Sequence, residues 1–411
     1  MTRITNESSV SAARAVLLGN YRSAPFVFSE GQGCRLKDVE GKSYLDLCAG
    51  IAVVSVGHCH PELTRAIAEQ AGRLMHVSNL FFNDRCIELA QELVSRTPFS
   101  KFFFCNSGAE ANETLLKLAR RHHYEHGAKQ RTTIITAQGS FHGRSMGALT
   151  MTAQPKYQEG MAPLVGDVEH VPFGDVAALR QRINERTAAL ILEPVQGEGG
   201  VVAASPEYLR AAREICDAAG ALFMLDEVQT GYGRTGRFLA QAWSGVVPDA
   251  CALAKGIAGG FPLGAVGVRP VLEKSLPPGS HGTTYGGNAL ACAAALAVLR
   301  IFDREKLVEN AERVGTYLGA RLEALAADAT LPAAADARGI GLLRGISVAS
   351  GFDPGAIVAD IRKRGVLVSI AGGTVLRFSP PLCVTEAEIA EGLTAVEAAL
   401  RAATRVATPG S

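Results

Sequence analysis

Between about residues 60 and 300, short uninterrupted apolar runs alternate with stretches of helical period: 101–105 then 109–126, 133–136, 188–194 then 206–219, 221–227, and 250–254. A strand that is apolar on both sides must be covered on both sides. Such strands, spaced by amphipathic helices, specify a mainly parallel sheet with helices on its two faces. Upstream, residues 26–48 alternate and turn around Gly31, Gly33 and Gly41, the pattern of a meander of short strands. Downstream come helices near 289–300 and 305–326, then a stretch at 331–338 that reads as a linker. The remainder reads as strands at 342–348, 366–370 and 375–378, with helices at 354–364 and 386–403. The expected division is a large α/β domain over 59–325 and a smaller α+β domain built from both chain ends, 1–58 and 326–411.

Charge narrows the function. Lys and Arg number 41 against 40 Asp and Glu, a net of +1, which removes the electrostatic case for nucleic acid or a membrane surface. No apolar run reaches the ~18 residues of a membrane span. The first twenty residues lack a signal-peptide core, so the expected location is the cytoplasm, with a transit peptide as the alternative. The nine cysteines, without a CxxC pair, read as small buried hydrophobes in a reducing compartment. Glycine is abundant, at 44 of 411 residues, as in chains whose backbone approaches a ligand closely.

Three segments carry candidate chemistry. In Phe104-Cys105-Asn106-Ser107-Gly108-Ala109-Glu110 an apolar strand runs straight into a helix start, with Ser107 and Glu110 at capping-box spacing. Its bare N–H groups suit a phosphate, although an ordinary capped helix looks the same. In Leu225-Asp226-Glu227 two acids close an apolar strand, where open α/β sheets bind ligands. A buried Asp226 there calls for a cationic partner, a metal or a protonated ring nitrogen, unless it only caps a turn. Lys255 stands alone between the run 250–254 and a glycine-rich loop. Desolvation there would make it a Schiff-base nucleophile, and a snorkelling surface lysine is the plain alternative. Together, a phosphate cup, a strand-end carboxylate and a desolvated amine match the phosphate, pyridine nitrogen and aldehyde of pyridoxal 5′-phosphate.

With these residues in view, the chain resembles the class III pyridoxal-phosphate aminotransferases of fold type I, and among them the acetylornithine aminotransferases. The similarity runs from about Tyr21 to Leu400. It is carried by Asn106-Ser107-Gly108-Ala109-Glu110-Ala111-Asn112-Glu113, Phe141-His142-Gly143-Arg144, Glu193-Pro194-Val195-Gln196-Gly197-Glu198-Gly199-Gly200, Asp226-Glu227-Val228-Gln229, Ala254-Lys255-Gly256 and His281-Gly282-Thr283-Thr284-Tyr285-Gly286-Gly287-Asn288. The resemblance implies Lys255 as the Schiff-base lysine and proton carrier, and Asp226 as partner of the ring nitrogen. It further implies Gln229 on the phenolic oxygen, Phe141 on the ring face, and Ser107, Gly108 and Ala109 around the phosphate. Thr284 would complete that cup from a second subunit, which implies a homodimer with shared active sites.

For substrates, the resemblance implies that Arg144 holds the carboxylate far from the reacting carbon and that Arg377 holds the α-carboxylate of glutamate or 2-oxoglutarate. Glu198 would pair with Arg377 when the substrate has no carboxylate there, and Tyr21 would form part of the pocket wall. Ile51 stands where ornithine-specific relatives carry tyrosine, which favours an N-acylated ornithine. The implied reaction moves the δ-amino group of N2-acetylornithine to 2-oxoglutarate in a ping-pong cycle of arginine biosynthesis. The alternatives are succinylornithine, succinyldiaminopimelate or 4-aminobutyrate aminotransferase. A nucleotide-binding reading fails because no GxGxxG follows the first strand and GxxxxGK[ST] is absent, and the presence of Lys255 argues against a silent relative. His58-Cys59-His60 and His122-His123-His126 lack a second cluster at ligand spacing, so no metal is expected.

Overall fold

The computed structural model describes residues 5–406; the outermost ends of the two terminal segments, 1–4 and 407–411, lie outside the described residues. The N-terminal meander forms β1 (Phe28–Gln32), β2 (Arg35–Asp38) and β3 (Ser43–Asp46), paired antiparallel in sequence. Then come β4 (Lys101–Cys105), β5 (Thr133–Ala137), β6 (Val168–Val171) and β7 (Thr187–Leu192), followed by a two-residue ribbon of β8 (Val195–Gln196) and β9 (Val202–Ala203). The chain continues with β10 (Leu222–Asp226), β11 (Ala250–Leu253) and β12 (Gly264–Val268). The central sheet has the order β4-β12-β11-β10-β7-β5-β6, and β12 alone runs against its neighbours.

Alternation along each strand divides the apolar side chains between the two faces. Phe223 and Leu225 join one core with Leu190, Leu192, Cys251 and the helix Ala289–Glu305. Leu222 and Met224 join the other, with Ile191, Ala252 and the helix Gly108–Glu125. Strands β5, β7, β10 and β11 are buried throughout, which is why they read as continuous apolar runs. The most apolar stretch of the sequence, around 289–299, is a core helix rather than a span. Among the described residues no helix is long and apolar enough to cross a membrane.

The C-terminal part contains β13 (Ala334–Ile340), β14 (Leu343–Val348), β15 (Val366–Leu367), β16 (Ser369–Ala371) and β17 (Val375–Phe378). Strands β13, β14, β17 and β16 make an antiparallel sheet, while β15 adds in parallel to β3 and joins the chain ends. Three expectations are corrected here. The stretch 331–338 is not a linker: from Ala334 it is strand β13, paired with β14. Its alanines have weak strand preference, and the neighbouring strand overrides it. The run 366–370 splits into β15 and β16, which belong to different sheets. The cysteines are all free thiols, but they are not uniformly buried: Cys59 is exposed, and Cys48, Cys86 and Cys383 are half-buried.

Candidate active site

A cavity of about 330 Å³ opens where the parallel strands end. Its walls come from the turns after β4 (Asn106, Ser107, Gly108), β5 (Phe141, His142), β7 (Glu193), β10 (Asp226, Val228, Gln229) and β11 (Lys255), with Phe261, Pro262 and Leu263 leading into β12. Ser107 is the N-cap of the helix Gly108–Glu125, its Oγ accepting from the Glu110 N–H at 3.2 Å. The Glu110 carboxylate reaches back to the Asn106 N–H at 2.8 Å, so the return arm of the cap lands one residue earlier than the spacing suggested. Gly108 is required where it stands: a Cβ there would lie 2.6 Å from Val228 Cγ1.

Asp226, the last residue of β10, is buried and held by three donors. Val228 N–H donates to its Oδ1 at 2.9 Å, and Asn112 Nδ2 and His142 Nδ1 each reach its Oδ2 at 2.7 Å. Lys255 holds a left-handed backbone at φ 46°, unusual away from glycine and typical of strained functional turns. Burial lowers its amine from 10.5 to about 8. Glu193 is buried too. Its Oε2 accepts from the Phe141 N–H at 3.0 Å, and burial, reinforced by the charge of Asp226, pushes its carboxyl well above the ordinary range.

Arg377 projects from β17 and is 2% exposed. Its Nη1 donates to Glu198 Oε1 at 2.5 Å, to the Gly197 carbonyl at 3.1 Å and to Gln229 Oε1 at 3.3 Å, while Nε donates to Ser369 Oγ at 3.1 Å. Burial pushes the Glu198 carboxyl up, but Arg377 and Lys255 outweigh it and hold the group below its ordinary value. Arginine has only donors, so the Gln229 atom facing it must be the carbonyl oxygen, which turns the amide N–H pair the other way. Gly197 makes room for this contact, since a Cβ there would fall 2.1 Å from Gln229 Oε1.

The structure thus brings Ser107, Gly108, Phe141, Asp226, Gln229 and Lys255 to one cavity, with Arg377 and Glu198 bonded to Gln229's neighbourhood at its edge. Ala109 stands in the first helical turn behind the wall. Arg144 is exposed, its guanidinium 3.9 Å from the ring centre of Tyr157 and 5.5 Å from that of Phe141. Thr284 and Tyr21 are not brought to this cavity: Thr284 lies in an exposed loop and Tyr21 is 80% exposed. Ile51 is half-exposed, and Val53, two residues on, lines the cavity instead. Sequence reasoning gave no role to Asn112, His142 or Glu193. One signal was available: Asn112 is four residues from Gly108, on the same helix face. The histidines of the two clusters make ordinary hydrogen bonds, His58 to Asp46, His60 to Glu305, His122 to Ser275 and His123 to the Ala188 carbonyl.

Comparison with known proteins places these residues in context. The chain matches the family described as Aminotransferase class-III over residues 18–400. It is 43% identical to an acetylornithine aminotransferase of Myxococcus xanthus, over 94% of this chain and 96% of that one. It is 45% identical to another from Caldanaerobacter subterraneus subsp. tengcongensis, over 93% and 97%. Among solved structures, the ornithine aminotransferase of Toxoplasma gondii superposes with a TM-score of 0.93 at 34% identity, covering 97% of this chain and 96% of that one. The acetylornithine aminotransferase of Elizabethkingia anophelis gives 0.86 at 32% identity, covering 97% and 99%.

Proposed function

The chain belongs to the class III aminotransferases, and from that premise we propose that it moves the δ-amino group of N2-acetylornithine to 2-oxoglutarate, giving N-acetyl-L-glutamate 5-semialdehyde and L-glutamate in arginine biosynthesis. It is a pyridoxal-phosphate-dependent transaminase of fold type I. The cavity's own features suit that cofactor: a glycine-floored helix start, a buried carboxylate on the opposite wall, and an amine whose affinity for protons is lowered. When bound, the cofactor supplies the electron sink that makes a proton on the substrate's δ-carbon removable and carries the amino group between the two substrates.

The remaining work falls to the chain. The lowered amine of Lys255 leaves roughly a quarter of it neutral at pH 7.5, against about one part in a thousand at its ordinary value. That suits it to attack an aldehyde and then to move a proton at the δ-carbon. Asp226, fixed by Asn112 and His142, would keep the ring nitrogen protonated. Ser107, Gly108 and Ala109 would hold the phosphate, Phe141 the ring face, and the Gln229 amide the phenolic oxygen. Arg144 would take the substrate's distal carboxylate. Tyr21, exposed in one chain, would join the pocket wall once substrate or a second chain covers it. On the same reading residues 59–325 form the cofactor-binding unit, the two chain ends form the smaller one, and the enzyme works in the cytoplasm.

The observation that carries the choice of an amine donor without a neighbouring carboxylate is the bond between Arg377 and Glu198, while the acetyl group rests on the likeness to the acetylornithine aminotransferases. A buried cation needs a counter-charge. With acetylornithine entering by its δ-amine, no carboxylate lies beside the reacting carbon, and Glu198 provides the charge. When glutamate or 2-oxoglutarate enters, its α-carboxylate takes the place of Glu198. A homodimer is supported by the exposed apolar run Leu80, Phe81 and Phe82, which are 82%, 70% and 95% exposed, beside the Thr284 loop. Thr284 would then serve the phosphate of the other subunit. The test is a single-turnover assay of the loss of visible cofactor absorbance with acetylornithine, succinylornithine, ornithine and 4-aminobutyrate in parallel. Acetylornithine should react fastest, and a preference for any of the others would overturn the assignment.

A further inference from the structure

The 283–287 loop carries Thr284, and among the described residues five side-chain hydrogen bonds reach it from outside, all donated by asparagines: one is local, from Asn288 Nδ2 to the Tyr285 carbonyl at 2.9 Å, and four come from distant segments. Asn79 Nδ2 donates to the carbonyls of Thr283 at 3.1 Å and Gly286 at 3.0 Å. Asn83 Nδ2 donates to the Gly287 carbonyl at 3.0 Å, and Asn106 Nδ2 to Thr283 Oγ1 at 3.1 Å. Two of these three distant asparagines have other employment. Asn83 is also the N-cap of the helix Asp84–Arg96, accepting from Cys86 N–H, and Asn106 lines the cavity. Asn79 spends both of its amide hydrogens on carbonyls three residues apart, and so acts as a clip across the loop.

The backbone is arranged for this clip. Ser78, just before Asn79, has φ 63°, a left-handed conformation that costs free energy in a residue other than glycine and sets the direction in which Asn79 leaves the chain. Directly after Asn79 comes the exposed apolar run of Leu80, Phe81 and Phe82. A loop with Gly286 and Gly287 would otherwise sample many conformations, and fixing it beforehand lowers the entropy cost when Thr284 meets its ligand.

We propose that Asn79 is a positioning residue that holds Thr284 ready for the phosphate of the partner subunit, so that retention of the cofactor in one site depends on a side chain of the other chain that does not line its own cavity. This rests on the shared-site dimer proposed above. The test follows the rate of cofactor release from the dimeric holoenzyme, by loss of visible absorbance on dilution into inorganic phosphate, with dimer dissociation measured by sedimentation. Asn79→Ala should release the cofactor about tenfold faster, the worth of roughly one hydrogen bond, with dimer dissociation unchanged.

Asn79→Asp keeps the shape and loses the N–H pair, so it should release cofactor at least as fast as Asn79→Ala. The double variant Asn79→Ala/Thr284→Val should be no worse than Thr284→Val alone, because Asn79 acts through Thr284. Wild-type retention in Asn79→Asp, dissociation of the dimer by Asn79→Ala, or full additivity in the double variant would each overturn the proposal while leaving the shared site standing. Unchanged release in Thr284→Val would instead remove the shared-site reading itself, and the role of Asn79 with it.

Discussion

Replacing Glu198 by alanine removes one partner of an ion pair whose other member is almost wholly buried. Breaking a fully buried pair costs about 3–5 kcal/mol, because a charge is left without compensation. Two features of the site reduce that figure. The Glu198 side chain keeps a fifth of its exposure, and Arg377 retains the Gly197 carbonyl, Gln229 Oε1 and Ser369 Oγ as neutral acceptors. What disappears is one charge-assisted hydrogen bond, worth about 1.5–3 kcal/mol, or roughly a 10- to 150-fold effect. Its sign depends on the substrate. With acetylornithine nothing replaces the lost carboxylate, and the half-reaction should slow by that factor. With glutamate the α-carboxylate supplies the charge and no longer has to displace Glu198, so the half-reaction should be unchanged or reach saturation at lower concentration. Stopped-flow measurement of the two half-reactions separates them, with Arg377→Ala as the mirror image and Arg144→Ala harming both. Equal slowing of both half-reactions by Glu198→Ala would refute the exchange of partners at Arg377.

Lys255 should carry a stability cost in the cofactor-free protein. Because its amine is lowered from 10.5 to about 8, the unfolded chain binds the extra proton between those values. The penalty is therefore complete below pH 8 and relieved as pH rises to 10.5. Stripped Lys255→Met should exceed stripped wild type by about 3 kcal/mol at pH 7, and urea titrations giving the same gap at pH 7 and pH 10.5 would contradict this. Asp226→Asn should retain the cofactor yet slow both half-reactions by roughly 10²-fold or more, since a neutral amide facing Asn112, His142 and Val228 N–H cannot keep the ring nitrogen protonated; wild-type rates would count against that role. Gly197→Ala should force Gln229 away from Arg377 and move the pH midpoint of the visible cofactor band, and an unchanged titration curve would show that Gln229 does not touch the ring oxygen.

The strands that read correctly from the sequence are those whose signal is local. Runs such as Thr187–Leu192 are buried on both faces, and continuous hydrophobicity is a property of the segment itself. The candidate site residues were legible for a related reason: Ser107, Asp226 and Lys255 each stand at or just after the end of an apolar strand, where a parallel sheet collects its ligands, and the motif strings carried the rest. Strand β12 escaped notice because Gly264 and Gly267 have weak strand preference. Their value lies in what a side chain would strike, the Ser107 carbonyl at 2.6 Å and the Phe99 ring at 2.6 Å. Strand β13 was hidden for the same kind of reason, its alanines being ordered by β14. The tertiary structure alone decided that Arg377 would meet a glutamate 179 residues away, that this arginine would orient the Gln229 amide, and that Asn112 and His142 would converge on Asp226 from different turns. It also decided that Thr284 would face outward on a loop clipped by Asn79. Sequence periodicity records which faces a segment must bury, and hydrogen bonds between distant segments exist only after those faces have been packed together.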